Sequence, residues 1–131
     1  MKKKIILDLC GGTGSWSKPY EEAGYDVFIY TMPFWDIRVA EIDNIAPNRG
    51  EIYGILAAPP CTHLASSGAR WWKPKGKEKL VEAMSVVDAC LRIIFLMKPK
   101  FWALENPVGR LRRYIGAVSY THLTLPTILL V

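Results

Sequence analysis

Three short segments of this chain carry residue types suited to chemistry. Cys61 closes the run Leu56-Ala57-Ala58-Pro59-Pro60-Cys61, where an apolar stretch stops and two prolines stiffen the backbone. Proline locks φ near about −65° and holds the residue before it extended, so a thiol placed there keeps a defined direction, as a nucleophile requires. Glu105-Asn106-Pro107 follows the apolar run Phe101-Trp102-Ala103-Leu104, which makes Glu105 a candidate proton donor or hydrogen-bond partner for a ring nitrogen. Asp8-Leu9-Cys10-Gly11-Gly12-Thr13-Gly14 is a glycine-rich turn, where backbone can approach a ligand closely and a following helix favours an anion. Its spacing departs from the dinucleotide fingerprint and lacks the Gly-Lys-Ser/Thr ending of a phosphate-binding loop, which disfavours a nucleoside triphosphate. Each segment also has an ordinary reading: a cysteine after a strand is commonly a small buried hydrophobe, and a strand-end glutamate a solvated carboxylate.

The elements that must position these residues alternate between strand and helix. Lys4 to Leu9 reads as a buried strand, followed by the glycine turn and a helix from Ser17 to Ala23 that Gly24 ends. Tyr25 to Tyr30 supplies a second strand, Asp36 to Val39 a short one and Ile52 to Ala57 another. Leu80, Met84, Val87, Leu91, Ile94 and Phe95 recur at helical spacing and predict a long helix from Glu78 to Met97, with a strand at Phe101 to Leu104 behind it. Ala65 to Lys79, rich in Ser, Gly, Arg, Trp and Lys, reads as a loop that orders when something binds. This alternation predicts an α/β fold with a mostly parallel sheet, and in such sheets ligands sit at the carboxyl ends of the strands. All three chemical segments fall at such ends.

Composition narrows the classes further. The 131 residues, half of them apolar, suit one domain with a modest core. Seventeen Lys and Arg against twelve Asp and Glu give a net charge of +5, a mild bias towards a polyanionic partner. Only Ile5-Ile6-Leu7 separates the opening lysines from Asp8, too short an apolar run for a signal peptide, and Arg92 interrupts the longest apolar stretch. A cytoplasmic protein without a membrane span is the expectation. Cys10, Cys61 and Cys90 form no C-x-x-C pair and are odd in number, so neither a disulfide framework nor a metal site is expected. Cys10 and Cys90 lie in apolar patterns and read as buried, and His63 as a solvated loop residue.

Taken in order, Asp8 to Gly14, Pro59-Pro60-Cys61 and Glu105-Asn106-Pro107 resemble the cytosine-5 methyltransferases that modify DNA, over roughly Lys4 to Arg113. The compactness is similar to that of phage and prophage members. The resemblance implies a three-layer methyltransferase-type sheet, S-adenosylmethionine as cofactor, and DNA with a flipped cytosine as partner. Cys61 then matches the nucleophile that adds to carbon 6 of cytosine, and Glu105 the residue that holds ring nitrogen 3 and the exocyclic amine. Pro60, Asn106 and Pro107 match substrate-binding positions, with Asn106 fixing its loop. Asp8, Gly12 and Gly14 match the cofactor turn, and Asp36 resembles the family's aspartate near the adenine. Arg70 and Lys73 are candidates for favouring the thiolate. Trp71, Trp72 and the lysines at 73, 75, 77 and 79 suit opened nucleic acid by stacking and charge, or equally a solvated face with two packing tryptophans.

The sequence departs from that family in two places. Where an acidic residue usually holds the cofactor's ribose at the end of the second strand, this chain reads Ile29-Tyr30-Thr31. After Arg113 no charged residue appears, and 118–131 differs abruptly in composition. We expect residues 1–117 to form a partial catalytic domain, incomplete at its carboxyl end, and 118–131 to be a tail foreign to it; an apolar edge strand is the other reading. The family's paired-arginine motif, target-recognition region and returning helix find no match here. RNA cytosine-5 methylation by the same thiol chemistry, or binding of nucleic acid or S-adenosylmethionine without turnover, are the alternative functions.

Overall fold

The computed structural model describes residues 4–32, 35–39, 51–64, 66–106, 109, 111, 114 and 127–130. Its elements are β1 (Lys4–Leu9), α1 (Lys18–Glu22), β2 (Asp26–Tyr30), β3 (Glu51–Ala57), a 3-10 helix (Ser66–Trp71), α2 (Trp72–Met97), β4 (Phe101–Glu105) and β5 (Thr127–Leu130). The strands form one sheet in the order β2-β1-β3-β4-β5, and every neighbouring pair is parallel. The chain leaves β1 to one side for β2 and returns to its other side for β3. A crevice therefore opens beyond the carboxyl ends of β1 and β3, the general place for ligands in a parallel sheet.

Alternation along the strands sends side chains to two unequal faces. Ile5, Leu7, Leu9, Ile55, Ala57 and Leu104 pack with Val87, Cys90, Ile93 and Ile94 of α2 in the main core. Ile6, Leu56 and Ala103 face the other way, under Trp16, Tyr20, Tyr25, Tyr53 and Phe101. This second face is sealed by aromatic rings, with Tyr20 stacked on Phe101 at 5.8 Å and Tyr25 tilted against Tyr53 at 5.5 Å. Gly54 exists for that packing: a Cβ there would collide with the Phe101 ring. With α1 on one face and α2 on the other, the architecture is a parallel α/β sheet between helices.

The expected strands β1 to β4 form within a residue of their read positions, but three segments differ. Asp36 to Val39 is a turn, because the Asp36 carboxylate accepts the backbone N–H of Arg38 (3.0 Å) and its carbonyl accepts that of Val39 (3.1 Å). Aspartate competes with a strand ladder in this way. The expected loop at Ala65 to Lys79 holds short helical turns: the 3-10 helix leads into a turn at Trp72 that Gly76, itself non-helical, separates from the long part of α2, which resumes within a residue of the predicted start at Glu78. Pro74 falls in the first turn of α2, where its missing N–H costs nothing, and Gly76 absorbs a kink with φ of 75°. Finally, Thr127–Leu130 of the carboxyl-terminal stretch is an edge strand, registered parallel to β4 from Trp102 to Glu105. No helix is long and apolar enough to cross a membrane, and no group of three metal-ligating side chains occurs among the described residues.

Candidate active site

The glycine turn is organised around a buried carboxylate. Asp8 is fully buried on the α1 side of β1, where the Ser17 hydroxyl donates to its Oδ2 at 2.5 Å. Gly11 passes directly over this carboxyl, leaving no room for a Cβ. Gly12 (φ 57°) and Gly14 (φ 81°) both need the left-handed region; Gly14 is also closed in by Ile29, while the space around Gly12 is open. Cys10 adopts φ of 61° and donates its N–H to the carbonyl of Tyr30 (2.7 Å), tying the turn to the end of β2. The second anchor is the N–H of Ala58, which donates to Leu9 (3.0 Å) and joins the exits of β1 and β3.

Burial pushes the Asp8 carboxyl above its ordinary value, with the Ser17 hydrogen bond opposing. The folded state therefore holds this proton more tightly than the unfolded chain does. The stability it contributes is complete below the ordinary carboxylate pKa of about 3.9 and is lost as pH rises through the folded value. An Asp8→Asn variant should accordingly match the parent's melting temperature near pH 4 and equal or exceed it at pH 7. A parent that gains on the variant as pH rises from 4 to 7, in parallel thermal melts, would refute this account.

Pro59-Pro60-Cys61 and Glu105-Asn106 are brought together by one buried hydrogen bond. Asn106 is 1 % exposed and donates its Nδ2 to the carbonyl of Pro59 at 3.1 Å. The register explains the meeting: β3 and β4 run side by side with Ala57 opposite Leu104, so their exits leave the sheet as neighbours. Glu105 is the last residue of β4 and, by alternation with Ala103, belongs to the α1 side. Cys61 is half-buried two residues beyond Pro59, at the start of a turn closed by the Leu64 N–H on its carbonyl (2.9 Å). Leu64 is fully buried in the α2-side core and pins that turn. His63 is half-buried rather than solvated, accepting from Lys75 Nζ at its Nδ1 (3.2 Å). Pro107 lies outside the described residues.

A cavity of about 240 Å³ occupies the crevice, lined by Cys10, Asp36, Ile37 and Pro60 among others. It unites residues from the glycine turn, the Asp36 turn and the Pro-Pro-Cys segment, three stretches far apart in the chain. Asp36 has a partner of its own: the Arg38 guanidinium grips both carboxylate oxygens, Nη2 to Oδ2 at 2.7 Å and Nε to Oδ1 at 2.9 Å. That grip holds the Asp36 carboxyl below the usual carboxylate range. Asp8 Oδ1 and Asn106 Oδ1 are buried without a hydrogen-bond partner among the described residues. Such atoms cost about 1–3 kcal/mol each and concentrate where a fold serves a site.

Four residues of this neighbourhood escape a reading of the sequence. Ser17 reads as the first residue of a helix, yet its hydroxyl turns to Asp8, a partner that nothing local announces. Arg38 sits two residues after an aspartate, a spacing that signals a side-chain turn. Glu82 and Val86 of α2 line the cavity from the helix, and their i, i+4 spacing marks only a shared helix face. Cys90, buried as expected, packs with Cys10 in the α2-side core; the neighbouring Cys90 thiol lowers Cys10 against the opposing effect of burial, while Cys10 and burial raise Cys90 well above the ordinary range. On the exposed side, Arg70 lies over the ring of Trp71 at 5.1 Å, close along the chain to Cys61. No family model, curated protein or solved structure matches this chain.

Proposed function

We propose that this chain is the catalytic portion of a DNA cytosine-5 methyltransferase, with a methyltransferase-type fold. The observation that carries the reading is the Asn106 to Pro59 hydrogen bond, since it couples the two segments that must grip one base. Cys61 is the nucleophile: its thiolate forms a bond to carbon 6 of an extruded cytosine, and the ring takes up the electron pair. Glu105 holds ring nitrogen 3 and the exocyclic amine and steadies the charge developing there. Asn106 positions both by fixing one loop against the other. Once carbon 5 carries the methyl group, its proton leaves to water or base and the ring expels Cys61, releasing 5-methylcytosine. The basic, tryptophan-bearing segment Arg70 to Lys79 contacts the opened strand by charge and stacking.

The cavity beside Pro60 fits part of S-adenosylmethionine. Its 240 Å³ falls below the roughly 300–1,000 Å³ of sites that enclose a whole ligand, so it suits the adenosine half. The open, left-handed Gly12 leaves a path for the remainder over the turn. Gly14 and Asp8 shape that turn, and Asp36 lies at the adenine end. When bound, the cofactor supplies the electrophilic methyl group.

Mechanism-based capture tests the reading. A DNA duplex with 5-fluorocytosine, incubated with the chain and S-adenosylmethionine, should give a denaturant-stable protein–DNA adduct, because fluorine at carbon 5 cannot leave as a proton does. Capture of the matching RNA in place of DNA would reassign the substrate. Retention of intact DNA with no adduct on any member of a degenerate-sequence pool would reduce the chain to a binding module.

A further inference from the structure

The geometry points to Glu82 as the carboxylate that recognises the ribose hydroxyls of the nucleoside in the cavity beside Pro60, an inference that rests on the cofactor reading above. A ribose presents two neighbouring hydroxyls, and two O–H donors on adjacent carbons are best met by the paired oxygens of one carboxylate. Doubly wound nucleotide-binding sheets supply an acid for this about 20 residues past the glycine turn, and at the end of its second strand this chain has Tyr30 and Thr31 instead. Among the described residues two carboxylates line the cavity, Asp36 and Glu82. The first is committed: Arg38 gives it a backbone N–H at 3.0 Å and side-chain donors at 2.7, 2.9 and 3.2 Å, which fill its lone pairs.

Glu82 is differently placed. Among the described residues its Oε2 receives Lys79 Nζ alone, at 3.3 Å, in an ion pair half exposed on both sides and therefore weak and easily exchanged. Val86, one helical turn later on α2, lines the same cavity, so Glu82 belongs to the cavity-facing stripe of the helix. Ser85 donates to the Glu82 carbonyl at 2.6 Å, and the helix beneath is anchored by Ala83 and Val87 in the core. The acid missing from β2 is thus replaced from the opposite wall, by a helix. The base is left to the apolar side of the cavity, Ile37 and Trp35, the latter held edge-on against Tyr30 at 5.1 Å.

Calorimetric titration of the full chain with S-adenosylhomocysteine and its 2′-deoxy analogue tests this. For Glu82→Ala, affinity for S-adenosylhomocysteine should fall about tenfold or more, as for loss of a charge-assisted hydrogen bond, while the deoxy analogue binds parent and variant within about twofold. Equal weakening of both ligands in Glu82→Ala, or none, overturns the assignment and leaves the cofactor reading standing. Absence of binding to the parent itself overturns the cofactor reading and this inference with it.

Discussion

Cys61→Ala should lose methyl transfer by at least about 10³-fold while retaining the fold and the ability to bind DNA. Removal of a nucleophile deletes the step that turns carbon 5 into a methyl acceptor, and no neighbouring group among the described residues repeats that chemistry. Cys10 and Cys90 are engaged with each other on the α2 side, and His63 is occupied by Lys75. The side chain of Cys61 contributes little to the core, being half-buried beyond the end of β3, so the melting temperature should move by no more than a surface substitution causes. The check is tritium transfer from labelled S-adenosylmethionine to DNA, with gel retention of the same DNA in parallel. Transfer by the variant at more than a tenth of the parent rate would show that the sulfur is not the nucleophile.

Glu105→Gln should reduce transfer by about 10²–10³-fold, the usual consequence of removing one preorganised stabiliser of developing charge. Glutamine keeps the shape and can still hydrogen-bond the base; what disappears is the carboxyl proton that ring nitrogen 3 can share as the thiolate's electron pair enters the ring. The loss should therefore appear in kcat far more than in KM. Glu105 ends β4, and its neighbour Asn106 keeps its bond to Pro59 in this variant, so the two loops stay joined. A loss confined to KM would make Glu105 a binding residue only. Covalent capture on 5-fluorocytosine DNA should slow in proportion, which separates an effect on ring activation from one on later steps.

Much of the fold was legible because its signals are local. Short apolar runs such as Ile5 to Leu7 and Ile52 to Ala57 read as buried strands, and the apolar period from Leu80 to Ile94 reads as a helix facing a core; Phe95, counted in the same period, is instead 69 % exposed. The misread segments are those where a polar side chain or a breaker residue acts through its context. Asp36 reads as strand until its carboxylate closes on Arg38, and Pro74 reads as loop until a short helical turn accommodates it, with Gly76 breaking that turn from the long helix. Trp71 and Trp72, read together, part company: the first is 51 % exposed and the second half-buried.

The chain by itself determined the residue types and the order in which they arrive at strand ends: the glycine turn after β1, the proline-braced thiol after β3, the acid closing β4. It did so because prolines, glycines and short apolar runs act on their own few residues of backbone, without help from distant parts. Only the tertiary structure decided which of these meet. The parallel register of β3 and β4 sets Asn106 against Pro59, the reversal of direction at β1 opens the cavity, and the packing of α2 brings Glu82 to its rim. Those are contacts between residues 20 to 70 positions apart or thereabouts, fixed by sheet order and helix rotation, quantities that no local spacing encodes.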